Sequence, residues 1–268
     1  MPFILTFLAG FCTAALLLCT PAQAATPDAP LLPVRAVRAL PHDTAAFTQG
    51  FLLHDGLFYE STGHYGESEL REVQPETGAV LRSRNLDANL FGEGLALVGD
   101  NLLQLTWKSG RALLWDIQRF SAAGELRLGR EAWGLAATRD QLFLSDGSAQ
   151  IRMFAPGDLR PLGEFTVVDN ARPVAQLNEL EIVQDWLLAN IWFEDKVAVV
   201  SLAGQDQGKV VAWLDLSPLR KLLLQEAGVA NGLAWDEANK RLYVTGKNWD
   251  RVFELSVPGA PWEARPKR

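Results

Sequence analysis

Residues 93–107 read EGLALVGDNLLQLTW: a carboxylate, a glycine, an aliphatic run, a turn, and a second aliphatic run ending in Thr106 and Trp107. Two short apolar strands around a turn make a β-hairpin. The same plan occurs at QGFLLHDGLFYEST from Gln49, WGLAATRDQLFLSD from Trp133, NELEIVQDWLLANIW from Asn178 and NGLAWDEANKRLYVTGK from Asn231. The starts lie 44, 40, 45 and 53 residues apart. Each unit opens on a large or polar residue, then Gly (Glu179 in the fourth), then an aliphatic strand. The second strand ends on a small polar residue: Ser61, Thr106, Ser145, Asn190 or Thr245.

Two further strands follow in most units, cleanly in the fourth as KVAVVSL and GKVVAWLDL and in the third as QIRMFA and LGEFTVV. Four short strands per period of this length are the pattern of propeller blades. The fifth unit reaches only three strands, ending at RVFELSV. PVRAVRAL, residues 33–40, can supply the missing outer strand and close the ring. The sequence therefore predicts an all-β fold, a five-bladed β-propeller closed by an N-terminal strand. An open pair of β-sandwiches is the alternative. LSPLRKLLLQEAG, residues 216–228, reads as a helix inserted before the last blade, with Pro218 in its first turn and Gly228 as its stop.

The chain has 268 residues, 48% hydrophobic and 21% charged, enough for one well-cored domain. Lys and Arg total 25 against 32 Asp and Glu, a net charge of −7, and no basic stripe suggests a nucleic-acid groove. Residues 1–24 differ in kind. FILTFLAGFCTAALLLC is apolar and is followed by TPAQA, where Ala22-Gln23-Ala24 fits a small-residue cleavage site. The apolar run is short for a membrane span, and Leu18 before Cys19 does not suit lipid attachment. Residues 1–24 are read as an export signal and 25–268 as one propeller domain, periplasmic or secreted and free of the membrane after cleavage. Cys12 and Cys19 both fall in the signal, so the mature chain has no thiol for a disulfide, a metal or a nucleophile. His42, His54 and His64 have no metal-ligand spacing.

In an antiparallel hairpin the first strand's start lies beside the second strand's end. Across five blades this places two rings of residues at one mouth of the channel. One is Gln49, Glu93, Trp133, Asn178 and Asn231; the other is Thr62, Trp107, Asp146, Trp192 and Lys247. A structural ring would repeat one small residue, whereas these positions gather a carboxylate, an ammonium, amides and three indoles. Indole faces favour apolar or cationic groups. A buried carboxylate can carry a proton, and Lys247 and Asn178 can stabilise an oxygen that gains charge. Proton transfer with carbonyl chemistry follows, without a named reaction.

FTQGF, YESTGHYGESELREV, FGEGL, LTWK, WGL, SDGS, NELE, ANIW and VTGKNW, in that order, together resemble the plant and bacterial glutaminyl-peptide cyclotransferases from about residue 42 to 255. The sequence departs at Glu67, where glutamine is usual, and at Ala132, where glycine is. The resemblance implies a five-bladed propeller that converts N-terminal glutamine of peptides or proteins to pyroglutamate, releasing ammonia without a required cofactor. It implies Glu93 as proton carrier and Asn178 and Lys247 as oxyanion partners. Gln49 and Phe47 would position the substrate, and Phe91, Trp107, Trp133 and Trp192 would cage it. Two other classes remain open. One is a lactonase-like calcium-dependent hydrolase using Glu93, Asn178, Asn231 and Asp146 as oxygen ligands, which Lys247 would oppose. The other is a non-catalytic binding propeller. A structural metal held by Asp146 and channel carbonyls is compatible with any of these readings.

Overall fold

The computed structural model describes residues 29–263, so the export-signal reading of residues 1–24 lies outside the described residues. Five blades, each built on antiparallel strands, stand around a central axis, the fifth completed by a strand from earlier in the chain. Blade 1 comprises Thr48–His54, Leu57–Thr62, Glu69–Val73 and Val80–Asn85. Blade 2 comprises Gly92–Val98, Asn101–Thr106, Arg111–Asp116 and Ser121–Arg127, and blade 3 Leu135–Ala137, Leu142–Leu144, Gln150–Phe154 and Pro161–Thr166. Leu177–Val183, Trp186–Ile191, Lys196–Ser201 and Val210–Asp215 form blade 4. Blade 5 is Ala230–Asp236, Arg241–Gly246 and Arg251–Ser256, with Arg35–Pro41 as its outer strand. The innermost strands touch in the order 1-2-3-4-5-1, which closes the ring.

The glycine after each repeat start explains how narrow that ring is. A Cβ on Gly50 would lie 2.4 Å from the Leu95 amide nitrogen, and one on Gly134 only 1.9 Å from the Asn178 carbonyl oxygen. Inner strands of successive blades thus approach at backbone contact, which only glycine permits. The exception in the fourth repeat has its own use. Glu179 reaches across the axis, accepting Leu233 N–H of blade 5 at 2.9 Å and Phe51 N–H of blade 1 at 3.4 Å. Burial, with Glu181 nearby, pushes its carboxyl well above the usual range.

Between the blades lie apolar layers, one at each seam. Phe51, Phe58, Tyr243 and Val252 fill the seam between blades 1 and 5. His42, just past the outer strand of blade 5, locks that seam with Nδ1 at 2.8 Å from Trp249 O and Nε2 at 3.0 Å from Glu60 Oε1 of blade 1.

Two elements differ from expectation. Leu31–Pro33 adds a fifth, parallel strand to blade 4. The helix expected over residues 216–228 is a single turn, Ser217–Arg220. Leu216 and Leu219 are buried and Leu223 and Ala227 pack partly against the same core, while Leu222 and Leu224 are exposed. A polar side chain also holds the segment: Arg220 donates to Asp195 and to the Ala227 and Gly228 carbonyls. Among the described residues no helix is long and apolar enough to cross a membrane.

Candidate active site

The repeat-start residues owe their orientation to a recurring irregularity. In blades 1, 2, 4 and 5 the pairing of the two inner strands slips at the repeat start: between Thr48 and Gly50, Gly92 and Leu95, Leu177 and Leu180, and Ala230 and Leu233. Such bulges leave residues unpaired and re-aim their side chains. Gln49, Glu93, Asn178 and Asn231 are the residues so released.

A cavity of about 480 Å³ opens at this mouth. All nine residues expected to form the site line it: Phe47, Gln49, Phe91, Glu93, Trp107, Trp133, Asn178, Trp192 and Lys247. His64, Phe193 and the backbone at Gly228 and Val229 complete the wall. The other three ring members face elsewhere. Thr62 Oγ1 accepts the Glu69 N–H at 3.0 Å within its own blade. Asn231 lies beneath the cavity, donating to Thr48 O at 2.9 Å and to Gln49 Oε1 at 3.4 Å. Asp146 fails because the second strand of blade 3 ends early, at Leu144, and the chain turns at Gly147 with φ +80°. Its carboxylate meets Ser148 and Arg152 of its own blade. Burial works against that charge, but the Ser148 hydroxyl and amide and the Arg152 guanidinium hold the carboxyl below its ordinary range. The calcium set of Glu93, Asn178, Asn231 and Asp146 is therefore not assembled, Asp146 being held within its own blade. Among the described residues no group of three or more His, Cys, Asp or Glu side chains is placed to hold a metal.

Glu93 is 3% exposed, and its Oε2 has no hydrogen-bond partner. Burial pushes its carboxyl well above the usual range; Lys247 opposes the rise, Glu131 adds to it, and a hydrogen bond from Gln49 moderates it. Because Asn231 donates to Gln49 Oε1, the Gln49 NH₂ is left to serve that bond. Lys247 is 6% exposed, with Nζ 4.5 Å from the centre of the Phe47 ring. Burial pushes the ammonium down to about 8, against the pull of Glu93. Asn178 is buried, and its strand is pinned by Ser145 Oγ donating to the Asn178 carbonyl at 2.6 Å.

Aromatic rings surround this pair. Trp133 and Trp192 meet nearly edge to face at 5.2 Å, and Phe91 lies 5.6 Å from Trp107. Sequence reasoning missed three contributors. His64 packs on Phe47 at 4.1 Å, and Phe193 stacks on Trp192 at 4.2 Å. Glu131 accepts both the Trp107 and the Trp133 indole N–H. Glu131 sits in the polar run GREAW, which reads as a solvated loop, so no local signal marks it.

A five-bladed propeller that gathers a buried carboxylate with one unpartnered oxygen, a buried ammonium and an aromatic wall in one cavity has the makings of an enzyme's active site. The family model described as glutamine cyclotransferase matches residues 11–257, and the chain belongs to that family. A glutaminyl-peptide cyclotransferase of Arabidopsis thaliana is 36% identical over 234 residues, covering 85% of this chain and 72% of that protein. The crystal structure of Myxococcus xanthus glutaminyl cyclase matches with a TM-score of 0.80 at 33% identity, over 86% of this chain and 98% of that one.

Proposed function

We propose a mechanism, built on the residues of this cavity, for the cyclisation of N-terminal glutamine to pyroglutamate, the reaction of this enzyme family. The glutamine side chain enters the aromatic cavity and folds toward its own α-amine. That nitrogen attacks the γ-carbonyl carbon, and Glu93 takes the proton the nitrogen loses. The new C–N bond makes the carbon tetrahedral, and its oxygen gains negative charge. Lys247 and Asn178 donate to that oxygen. Glu93 then returns its proton to the amide nitrogen as the old C–N bond breaks, so the products are a pyroglutamyl peptide and ammonia. Attack and leaving group belong to one residue, so the protein's main tasks are to fix the near-attack conformation and exclude water.

The observation that carries this reading is the buried, unpartnered Oε2 of Glu93 in the cavity that also holds Lys247. A raised carboxyl suits an acid–base carrier that must both accept and donate near neutral pH. The chemistry requires no metal, because a charged Lys247 supplies the electrophilic assistance. Peptides and proteins with N-terminal glutamine are the substrates. The apolar leader ending in Ala22-Gln23-Ala24 supports export, so that these substrates are met outside the cytoplasm.

Ammonia release from a Gln-initiated dipeptide tests the reading. Wild-type protein should be active and keep its initial rate after thorough chelation. Glu93→Gln should fold but lose roughly two to four orders of magnitude in turnover. Loss of activity on chelation restored by zinc or calcium, or a Glu93→Gln variant with more than a tenth of wild-type turnover, would refute it.

A further inference from the structure

Glu131 does not line the cavity, yet its carboxylate joins the two halves of the aromatic wall. One half runs through Phe47, Phe91 and Trp107, with Phe91 at 6.2 Å from Phe47 and 5.6 Å from Trp107. The other runs through Trp133, Trp192 and Phe193, at 5.2 and 4.2 Å. These ring contacts run within each half. Across the gap, a single oxygen, Glu131 Oε1, accepts Trp107 Nε1–H at 2.7 Å and Trp133 Nε1–H at 3.0 Å.

We propose that Glu131 is a positioning residue for cyclisation, clamping Trp107 and Trp133 at one spacing so that the cavity holds the glutamine side chain folded back on its amine. The assignment rests on the reaction proposed above. Each indole has one donor, and at an exposed rim water could satisfy the two separately with no fixed relation between them. A shared anionic acceptor makes two strong bonds and sets both rings at once. The backbone supports the clamp: Trp107 follows the second strand of blade 2, Trp133 precedes the first strand of blade 3, and Ala132 N–H donates to Trp107 O at 3.1 Å. Glu131 therefore couples two blades at the substrate's position rather than decorating a loop. Its negative charge has a second, separable effect, since it helps raise the Glu93 carboxyl. A glutamine at this position would keep the accepting oxygen and lose the charge.

The test is kcat and KM on a Gln-initiated dipeptide for wild type, Glu131→Gln and Glu131→Ala, measured from about pH 5 to about pH 9. A misplacement on the scale of 1 Å costs an intramolecular reaction about a hundredfold. Glu131→Ala should therefore lose about ten- to a hundredfold in kcat/KM, and Glu131→Gln should recover most of that loss. In both variants the acidic limb should move to lower pH, because a negative charge near Glu93 is gone. An alanine variant with wild-type kcat and KM, even one with a lowered Tm, would overturn the assignment. So would a glutamine variant as impaired as the alanine one. Inactive wild-type protein would refute the cyclisation reading and this assignment together, whereas active wild type with an unaffected alanine variant would refute this assignment alone.

Discussion

Lys247→Met separates catalysis from stability at one atom. Methionine keeps much of the lysine's length and apolar stem and removes the ammonium. Losing one donor to a developing oxyanion costs about 2.7–4 kcal/mol, so turnover should fall roughly a hundred- to a thousandfold with KM little changed. Stability should move the other way. Lys247 is pushed from 10.5 to about 8 by burial, while the unfolded chain holds its proton at the ordinary value. Between about pH 8 and pH 10.5 the unfolded state therefore binds more protons, and wild-type stability rises through that window. Below it, keeping the group charged costs the native state about 3 kcal/mol. At pH 7 the methionine variant should be more stable by up to about that amount, and the gain should vanish as pH passes 10.5. Glu93 loses its cationic neighbour in the variant, so the acidic limb of the residual activity should move to higher pH. Ammonia-release kinetics across pH and urea unfolding at pH 7 and above pH 10 give both readouts. An unchanged kcat with the whole effect in KM would mean that Lys247 only holds substrate. A variant less stable at pH 7, with the pH dependence of wild type, would refute the burial argument.

Two more outcomes follow from the cavity and the ring. Trp133→Ala and Trp192→Ala should each lose roughly ten- to a hundredfold in kcat/KM, the worth of about 1.5–3 kcal/mol of apolar contact, and Phe at either position should keep part of it; a folded alanine variant with wild-type kinetics would make that indole a packing residue. Gly134→Ala should lower stability by about 1–3 kcal/mol in urea unfolding and reduce turnover through Asn178, whose carbonyl oxygen the new methyl would meet at 1.9 Å. An unchanged unfolding midpoint would refute the close-approach account of the repeat glycine.

Blade number, the hairpin plan and the closing strand at Arg35–Pro41 were legible in the amino-acid order because all three depend on short patterns repeated at a steady interval. Of the nine expected site residues that line one cavity, seven are ring positions, since a repeat start fixes which end of a blade a residue occupies, and Phe47 and Phe91 came from the family motifs. Where each side chain points was another matter. Asp146 occupies a ring position by spacing but turns to Arg152, because its strand stops one residue too soon and an arginine waits on the next strand. Asn231 occupies another and sits beneath Gln49, while Glu131 occupies none and yet sets two indoles. The candidate helix before blade 5 looked apolar enough in one dimension, but it is a single turn in which Leu216 and Leu219 reach the core while Leu222 and Leu224 stay exposed. Glu179 broke the glycine pattern without announcing that its carboxylate would bond blades 1 and 5 across the axis. Repeat spacing is a property of neighbours along the chain and places backbones. Hydrogen-bond partners, bulges and burial depend on where each strand ends and on segments as far apart as Asn231 and Thr48, so only the closed ring could decide which polar side chains face the cavity and which are spent holding it together.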